Sequence, residues 1–335
     1  MPEHKSAPLA LPLLNRGMRR AAEEARLWLG ATIPNPPVGA VALDEKGEIL
    51  AAAAHRRAGT AHAEAALLTL CAERDLIGLI HTLCVTLEPC NHHGRTPPCS
   101  EAIIAAGIKH VAIGAHDPNP DVKGGGMQRL RDEGIHVTEN VEDARCEQLI
   151  HVFAFHARTG RPFVTVKRAF DANGSMVPPV GQKTFTSPDS LRLAHRLRKK
   201  ADAIVTGSGT ILADLPLFTV RHVNDFPDKR RVLAILDGRG RVPPAYLDAA
   251  KGRGLDAEVF SDLDSALLTL NERGIRDILV ESGPILSGFV LDSGLWAMRV
   301  DIHAGAPERL EIELNPSAKM ALHLDAGGID SILPT

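Results

Sequence analysis

The sequence predicts an α/β protein built of two domains. Three observations carry this. The chain has 335 residues, enough for about two domains. Short apolar runs alternate with segments of helical period in two successive blocks. Between the blocks, a helical pattern runs into Arg158-Thr159-Gly160-Arg161-Pro162, a stop signal after which a fresh strand begins. The boundaries that follow are an extension at 1–14 expected to be disordered, a first domain at 15–157 and a second at 161–335.

Composition narrows the class of function. The apolar fraction of 44%, charged fraction of 24% and net charge of −3 are those of an ordinary globular protein. They give no broad electrostatic reason to expect nucleic acid or an anionic membrane as partner. One Tyr and two Trp also leave few aromatics for stacking bases. No run reaches the roughly 20 apolar residues of a membrane span. The start, MPEHKSAPLALPLL, is interrupted by prolines and makes a poor signal peptide, so the expected location is the cytoplasm. Five cysteines do not make a disulfide framework. Cys71, Cys84 and Cys146 read as small buried hydrophobes.

In the first block, Asn15–Leu29 has apolar residues at helical spacing and stops before the proline-rich Ile33–Gly39. Strands are expected at Val38–Leu43 and about Glu48–Ala54, joined by a turn at Asp44-Glu45-Lys46-Gly47. A helix opens at His62 and runs to about Arg74. Strand His81–Thr86, helix Pro98–Ala106, strand Lys109–Ala115, helix Met127–Glu133 and strand Ile135–Thr138 follow. A last helix is expected at about Asp143–Phe155. This order predicts an α/β/α sandwich whose second half is mostly parallel.

The chemistry concentrates in this block. His62-Ala63-Glu64 opens one helix, and Pro89-Cys90 and Cys99 flank the start of another. A His, a Glu two residues on, a Pro-Cys and a second Cys form the pattern of zinc nucleobase deaminases. One imidazole and two thiolates can hold Zn²⁺ and leave a fourth position for water, whose pKa the metal lowers. Glu64 is the expected proton shuttle between attacking water and leaving ammonia. The general pattern has two residues between the cysteines; here there are eight, Asn91 to Pro98. Within them, His92 and His93 are candidate extra ligands, read instead as loop or substrate-contacting residues.

The second block starts with strand Phe163–Arg168 and helix Pro188–Lys200. Strand Ala203–Thr206 leads into a Gly-rich turn, Gly207-Ser208-Gly209-Thr210. Strands Arg231–Asp237 and Glu258–Phe260, helix Asp264–Arg273 and strand Asp277–Glu281 follow. A second Gly-bearing turn, Ser282-Gly283-Pro284, opens a helix, and a last strand at Met298–Ile302 precedes a weakly patterned tail. Each glycine turn alone is as readily structural as ligand-binding. Two after strands in one domain fit a dinucleotide held at the strand ends of an open sheet.

Several runs together resemble one family. They are Pro34-Asn35-Pro36-Pro37-Val38-Gly39, His55 with Ala58-Gly59, His62-Ala63-Glu64, the whole stretch from Thr86 to Cys99, and Asp117-Pro118-Asn119-Pro120. They look like the bifunctional riboflavin-biosynthesis deaminase–reductase family, in which the eight-residue spacing between the cysteines is characteristic. The resemblance implies a cytidine-deaminase-like sandwich followed by a domain related in fold to dihydrofolate reductase. It implies hydrolytic removal of the 2-amino group from 2,5-diamino-6-(5-phosphoribosylamino)pyrimidin-4-one, then NADPH reduction of the ribosyl to the ribityl chain. On that reading His62, Cys90 and Cys99 hold Zn²⁺, and Asn35, His55, Asp117 and Asn119 line the deaminase pocket. Lys167, Thr210, Asp214 and Gly283 match cofactor positions. Arg198, Phe218, Arg221 and Glu281 match reductase substrate positions, the arginines suited to a 5′-phosphate. The family also implies a homo-oligomer.

The chain departs from the family's usual residues at several places. Ala61 stands where Pro is usual. Asp171-Ala172-Asn173-Gly174 replaces a Ser-Leu-Asp-Gly run, and Lys183-Thr184-Phe185-Thr186-Ser187 lacks the usual aromatic. Leu295–Met298 lacks an acidic pair, and Ala304-Gly305-Ala306-Pro307 replaces a Pro-Lys-Leu-Gly-like segment. A second reading therefore stays open at this point: a deaminase of a related pyrimidine pathway whose second half serves another substrate or only binds. A nucleic-acid editor is a third class, disfavoured by the charge.

Overall fold

The structure is a computed structural model that describes residues 7–92, 97–119, 125–178, 184–319, 321–322, 324 and 328–335. The chain divides into two compact units. One takes in residues up to Arg158 together with a C-terminal stretch ending at Leu333; the other spans Thr159–Leu322.

In the first unit the elements run α1 (Leu11–Arg26), β1 (Gly39–Leu43), β2 (Ile49–Ala54), α2 (Ala63–Glu73), β3 (Thr82–Leu87), α3 (Cys99–Ala105), β4 (His110–Ala115), α4 (Gly125–Asp132), β5 (His136–Thr138), α5 (Asp143–Leu149) and α6 (His151–Thr159). The sheet order is β2-β1-β3-β4-β5. β1 is antiparallel to β2 and β3, whereas β3, β4 and β5 are parallel. Alternation along the strands splits the core in two. Ala40, Ala42, Leu83 and Val85 pack with Leu67 of α2, Ile103 of α3 and Leu130 of α4. Val41, Leu43, Cys84 and Ala112 face the other way, onto Met18 and Ala22 of α1 and Cys146 and Leu149 of α5. The layers are helix, sheet, helix.

Three expectations need correction here. The stretch 1–14 is not disordered to its end, because α1 already begins at Leu11. Pro12 suits a first helical turn, and Leu14 extends the buried stripe of Met18, Ala21, Ala22 and Ala25. The tail does not stay wholly with the second unit, since Gly328–Ile332 forms a 3₁₀ turn that belongs to the first. Arg26 at the end of α1 donates to the carbonyls of Asp330 and Leu333, and Ile329 and Ile332 are buried. The expected helix Asp143–Phe155 is interrupted at Ile150.

The second unit runs β6 (Phe163–Phe170), α7 (Pro188–Lys200), β7 (Ala203–Gly207), α8 (Ser208–Asp214), β8 (Arg231–Leu236), α9 (Pro244–Gly252), β9 (Leu255–Phe260), α10 (Leu263–Glu272), β10 (Asp277–Glu281), α11 (Pro284–Asp292), β11 (Met298–His303) and β12 (Arg309–Leu314). The sheet order is β12-β11-β6-β10-β7-β8-β9. Every pairing is parallel except β11 with β12. Sequence reading misses α8, α9 and β12. The first looks like a glycine turn, the second lies between prolines and glycines, and the third is a charged edge strand.

The starts of these parallel strands are tied by buried charges. Lys200 Nζ lies 2.8 Å from Asp277, both almost fully buried. Lys229 Nζ lies 3.4 Å from Asp202 and donates to the Lys199 and Lys200 carbonyls. Burial, opposed by Asp202, pushes the Lys229 ammonium down to about 8.

One very tight backbone approach is at Gly39. A Cβ there would lie 1.9 Å from the Ala21 carbonyl oxygen, so α1 sits directly on β1. Gly39→Ala is expected to cost about 3 kcal/mol, the upper end of overpacking costs, read from the urea midpoint of the full chain.

Candidate active sites

β3 ends at Leu87, and the chain leaves the sheet through Glu88-Pro89-Cys90. Cys99 opens α3 and His62 caps α2, so three elements deliver three ligand atoms to one point. His62 Nδ1 lies 3.6 Å from Cys90 Sγ and 3.4 Å from Cys99 Sγ. For a tetrahedral ion with ordinary Zn–S and Zn–N bonds, the sulfur–nitrogen separation is about 3.6 Å. The donor set and its spacing therefore fit zinc. Among the described residues His92 is not part of this cluster; His93 and the rest of the insert to Thr96 lie outside them.

The two cysteines perturb each other in opposite directions. The Cys99 thiol hydrogen-bonds to Cys90 and, with His62, holds Cys90 down to about 4. Cys99 is pushed up by the same partner and by burial. Glu64 sits in the first turn of α2, buried, and burial raises its carboxyl to about 7.

The structure brings the predicted deaminase-pocket residues near this point by a short relay. His55 Nδ1 lies 3.0 Å from the Ala61 carbonyl, to which only an N–H can donate, so Nε2 is left to accept from the Asn35 amide at 3.2 Å. The His55 and His62 rings meet edge to face at 5.4 Å. Asp117 accepts the Asn119 N–H at 2.9 Å, and burial raises its carboxyl. Pro120 of that run lies outside the described residues. Sequence reasoning passes over Glu88, which accepts the N–H groups of Asp117 at 3.5 Å and Met127 at 3.2 Å. It ties the Asp117 loop and the start of α4 to the cysteine loop. Gly126 permits this, since a Cβ there would strike the Pro89 carbonyl. The signal is in the sequence: Glu88 is the one carboxylate in the Pro-Cys run.

In the second unit the ends of β6, β10 and β7 gather the reductase candidates. Lys167 and Glu281 are register partners, with Nζ 3.5 Å from the carboxylate. Arg198 from α7 binds Glu281 through two nitrogens, at 2.6 and 3.2 Å, and donates to the Thr219 carbonyl. Its guanidinium lies over the buried Phe218 ring. Burial raises the Glu281 carboxyl, but Arg198 and Lys167 outweigh it and hold it low. Arg221 is exposed beside Thr219. Thr210 Oγ1 accepts the Gly283 N–H at 3.0 Å, which joins the two glycine turns. Nothing lies within 4 Å of where a Gly209 Cβ would stand, so the backbone there is open to a ligand. Paired glycine turns at parallel strand ends, with an open backbone, fit a dinucleotide. Asp214 ends α8, exposed, and enters none of these bonds.

Two groups in this unit carry no motif. His195, on α7 one turn before Arg198, accepts the Arg221 N–H at Nδ1. Asp237, after β8, accepts the Arg241 and Val242 N–H groups, while Arg241 reaches the Ser208 hydroxyl at 2.9 Å.

The departures from the family's usual residues have local explanations. Asp171 accepts the N–H groups of Asn173 and Ser175, both at 2.8 Å, and so closes its own turn. Glu308 accepts the Ser187 N–H and both the Ser187 and Ser190 hydroxyls. The altered segments before α7 and after β11 are thus joined to each other. Lys183 lies outside the described residues.

Comparison with known proteins decides the family. A family model described as the cytidine and deoxycytidylate deaminase zinc-binding region matches residues 13–115, and one for the RibD C-terminal domain matches 162–297. The riboflavin biosynthesis protein RibD of Escherichia coli (strain K12) is 35% identical across 83% of this chain and 84% of its own length. The chain belongs to the RibD family. The RibD of Aquifex aeolicus is 36% identical, with 80% of each chain covered. Among solved structures, the Thermotoga maritima diaminohydroxyphosphoribosylaminopyrimidine deaminase/5-amino-6-(5-phosphoribosylamino)uracil reductase superposes with a TM-score of 0.76 at 34% identity, covering 88% of this chain and 87% of that one. Acinetobacter baumannii RibD gives 0.75 at 30%, covering 94% and 92%. Both halves of the family are present, so the reading of the second half as a domain from another pathway is not favoured. No helix among the described residues is long and apolar enough to cross a membrane.

Two measurements check these sites. Cys99→Ala is expected to lower bound zinc from one ion per chain to under about a tenth, because two ligands hold the ion far more weakly than three; elemental analysis after dialysis reads this. The second is a pH profile. Burial first, then Arg198, Arg221 and His222, hold the His195 ring down to about 4, with Glu281 opposing. Its folded value lies below the unfolded 6.5, so the unfolded chain binds more protons in between. Stability from this group is present in full above about 6.5 and is lost as pH falls towards 4. Urea midpoints between pH 7 and 4 should show this slope, reduced in His195→Asn.

Proposed function

We propose that the chain carries out the two consecutive steps of its family. The first is hydrolytic deamination of 2,5-diamino-6-(5-phosphoribosylamino)pyrimidin-4-one to 5-amino-6-(5-phosphoribosylamino)uracil. The second is NADPH reduction of the ribosyl group to the ribityl chain. The observation that carries the reading is the His62–Cys90–Cys99 triangle beside a buried Glu64, within a chain that matches the family through both halves.

For deamination, His62, Cys90 and Cys99 would hold Zn²⁺, which lowers the pKa of water so that hydroxide is available near neutral pH. Glu64 is the acid and base. Its raised carboxyl suits it to take a proton from the attacking water and return it to the departing ammonia. Asn35, held by its amide nitrogen to His55, presents its oxygen as an acceptor for a donor on the pyrimidine. His55, Asp117 and Asn119 complete the pocket wall. Glu88 keeps the Asp117 loop and the cysteine loop in fixed relation.

For reduction, NADPH supplies the hydride. Thr210, Gly283 and Lys167 are the proposed cofactor contacts, and Asp214 the outermost of them. Glu281 is the anionic hub, with Lys167 and Arg198 on its two oxygens. Phe218 walls the pocket, and Arg198 and Arg221 offer guanidinium N–H groups to the 5′-phosphate. By the same family resemblance we propose a cytoplasmic homo-oligomer, checked by cell fractionation and sedimentation.

Glu64→Gln separates the roles. It is expected to keep one zinc per chain and to lower ammonia release by about 10²–10⁴-fold, the usual range for a lost proton shuttle. NADPH oxidation at 340 nm with the deaminated intermediate should survive in the same variant. Ammonia release at the wild-type rate would refute the assignment of Glu64.

A further inference from the structure

The geometry points to His195 as a positioning residue, and we propose that its imidazole sets Arg221 and Arg198 in register to receive the 5′-phosphate of the reductase substrate. This rests on the reading of those two arginines as phosphate ligands.

His195 and Arg198 stand three apart on α7, hence on one face of the helix. The imidazole is only 2% exposed. Its Nδ1 accepts the backbone N–H of Arg221 at 2.8 Å, a bond across 26 residues of chain. A neutral ring that accepts at Nδ1 carries its proton on Nε2. That nitrogen faces Arg198 Nη1 at 3.4 Å, donor against donor. The contact with Arg198 is therefore packing, and the ring is a wall for the guanidinium. The other nitrogens of Arg198 are fixed on Glu281, and Nη1 also reaches the Thr219 carbonyl. Arg221 Nη1 bonds the Thr219 hydroxyl at 2.7 Å, while its Nε and Nη2 enter none of these bonds. The His222 ring meets His195 edge-on at 4.6 Å and closes the remaining side. The same imidazole thus fixes the backbone of one arginine and packs against the side chain of the other.

The arrangement requires an uncharged ring. A protonated imidazole would turn Nδ1 from acceptor to donor and break the bond to Arg221. Burial first, and then the charges around it, keep it neutral: Arg198 on its own helix and Arg221 and His222 on the facing loop disfavour the imidazolium, and Glu281 on β10, which favours it, is itself held by Lys167 on β6 and by Arg198.

Equilibrium binding without NADPH tests this. Calorimetry gives Kd for the phosphorylated uracil substrate and for its dephosphorylated riboside, and NADPH affinity is read separately by fluorescence. Arg221→Ala should weaken the phosphorylated ligand about tenfold or more and leave the riboside nearly unchanged. His195→Phe, which removes the acceptor, should do the same by about tenfold, the loss that one hydrogen bond of ordinary strength represents. His195→Asn should recover to within about twofold, since its side-chain oxygen can stand where Nδ1 stood. Should the Phe variant not fold, His195→Gln replaces it, because a longer amide does not place an acceptor there. Weakening by Arg221→Ala with none in His195→Phe or His195→Gln overturns the proposal. So does a His195 variant that weakens riboside, NADPH and phosphorylated ligand alike, which marks a merely structural residue. No effect of Arg221→Ala overturns the phosphate reading itself.

Discussion

Parallel strand pairing is the constraint from which both sites arise. Parallel strands all end on the same edge of their sheet, and each must leave it through a loop whose backbone groups need partners. In the first unit, β3 delivers Glu88-Pro89-Cys90 to that edge and β4 delivers the Asp117 loop beside it. In the second, β6, β7 and β10 bring Lys167, Gly207 and Glu281 together from positions up to 114 residues apart in sequence. Chemistry that needs several side chains at one point is gathered without any one segment having to encode it.

Charge is handled differently at the two ends of the second sheet. At the strand starts, Lys200 and Asp277 are closed into a dry pair, with Lys229 and Asp202 beside them, and the lysine ends of α7 cover them. Such pairs contribute little net stability, but removing one partner strands the other. At the strand ends, Glu281 is surrounded by more cations than it can neutralise, Lys167, Arg198 and Arg221. That excess of positive charge next to an open surface is what an anionic ligand requires, and it adds to burial in keeping His195 neutral in its midst.

The clustering of His62, Cys90 and Cys99, the place of Glu64 beside them and most strands were legible in the sequence because each obeys a local rule: a residue spacing, a first-turn position, an apolar run between turn residues. Helix Pro188–Lys200 could be read to the residue, since proline opens it and basic residues close it. What was not legible depends on partners far along the chain. Ser208–Asp214 looks like a phosphate turn until Ile211 is seen to be buried under β7 and β8. The tail turn at Gly328–Ile332 has no periodic signal, and its place is set by Arg26 some 300 residues earlier. Glu88 and His195 act through backbone N–H groups, which carry no residue signature.

The bond between Glu308 and the start of α7 joins two segments that both depart from the family's usual residues. A carboxylate that satisfies Ser187 and Ser190 has little use without them, and those hydroxyls would be left facing each other without it. The two stretches therefore act as one unit in this chain. A chimaera that replaces only the α7 start or only the β11–β12 turn of this chain would remove one side of that contact, so crossover points in this domain belong outside the span 184–308.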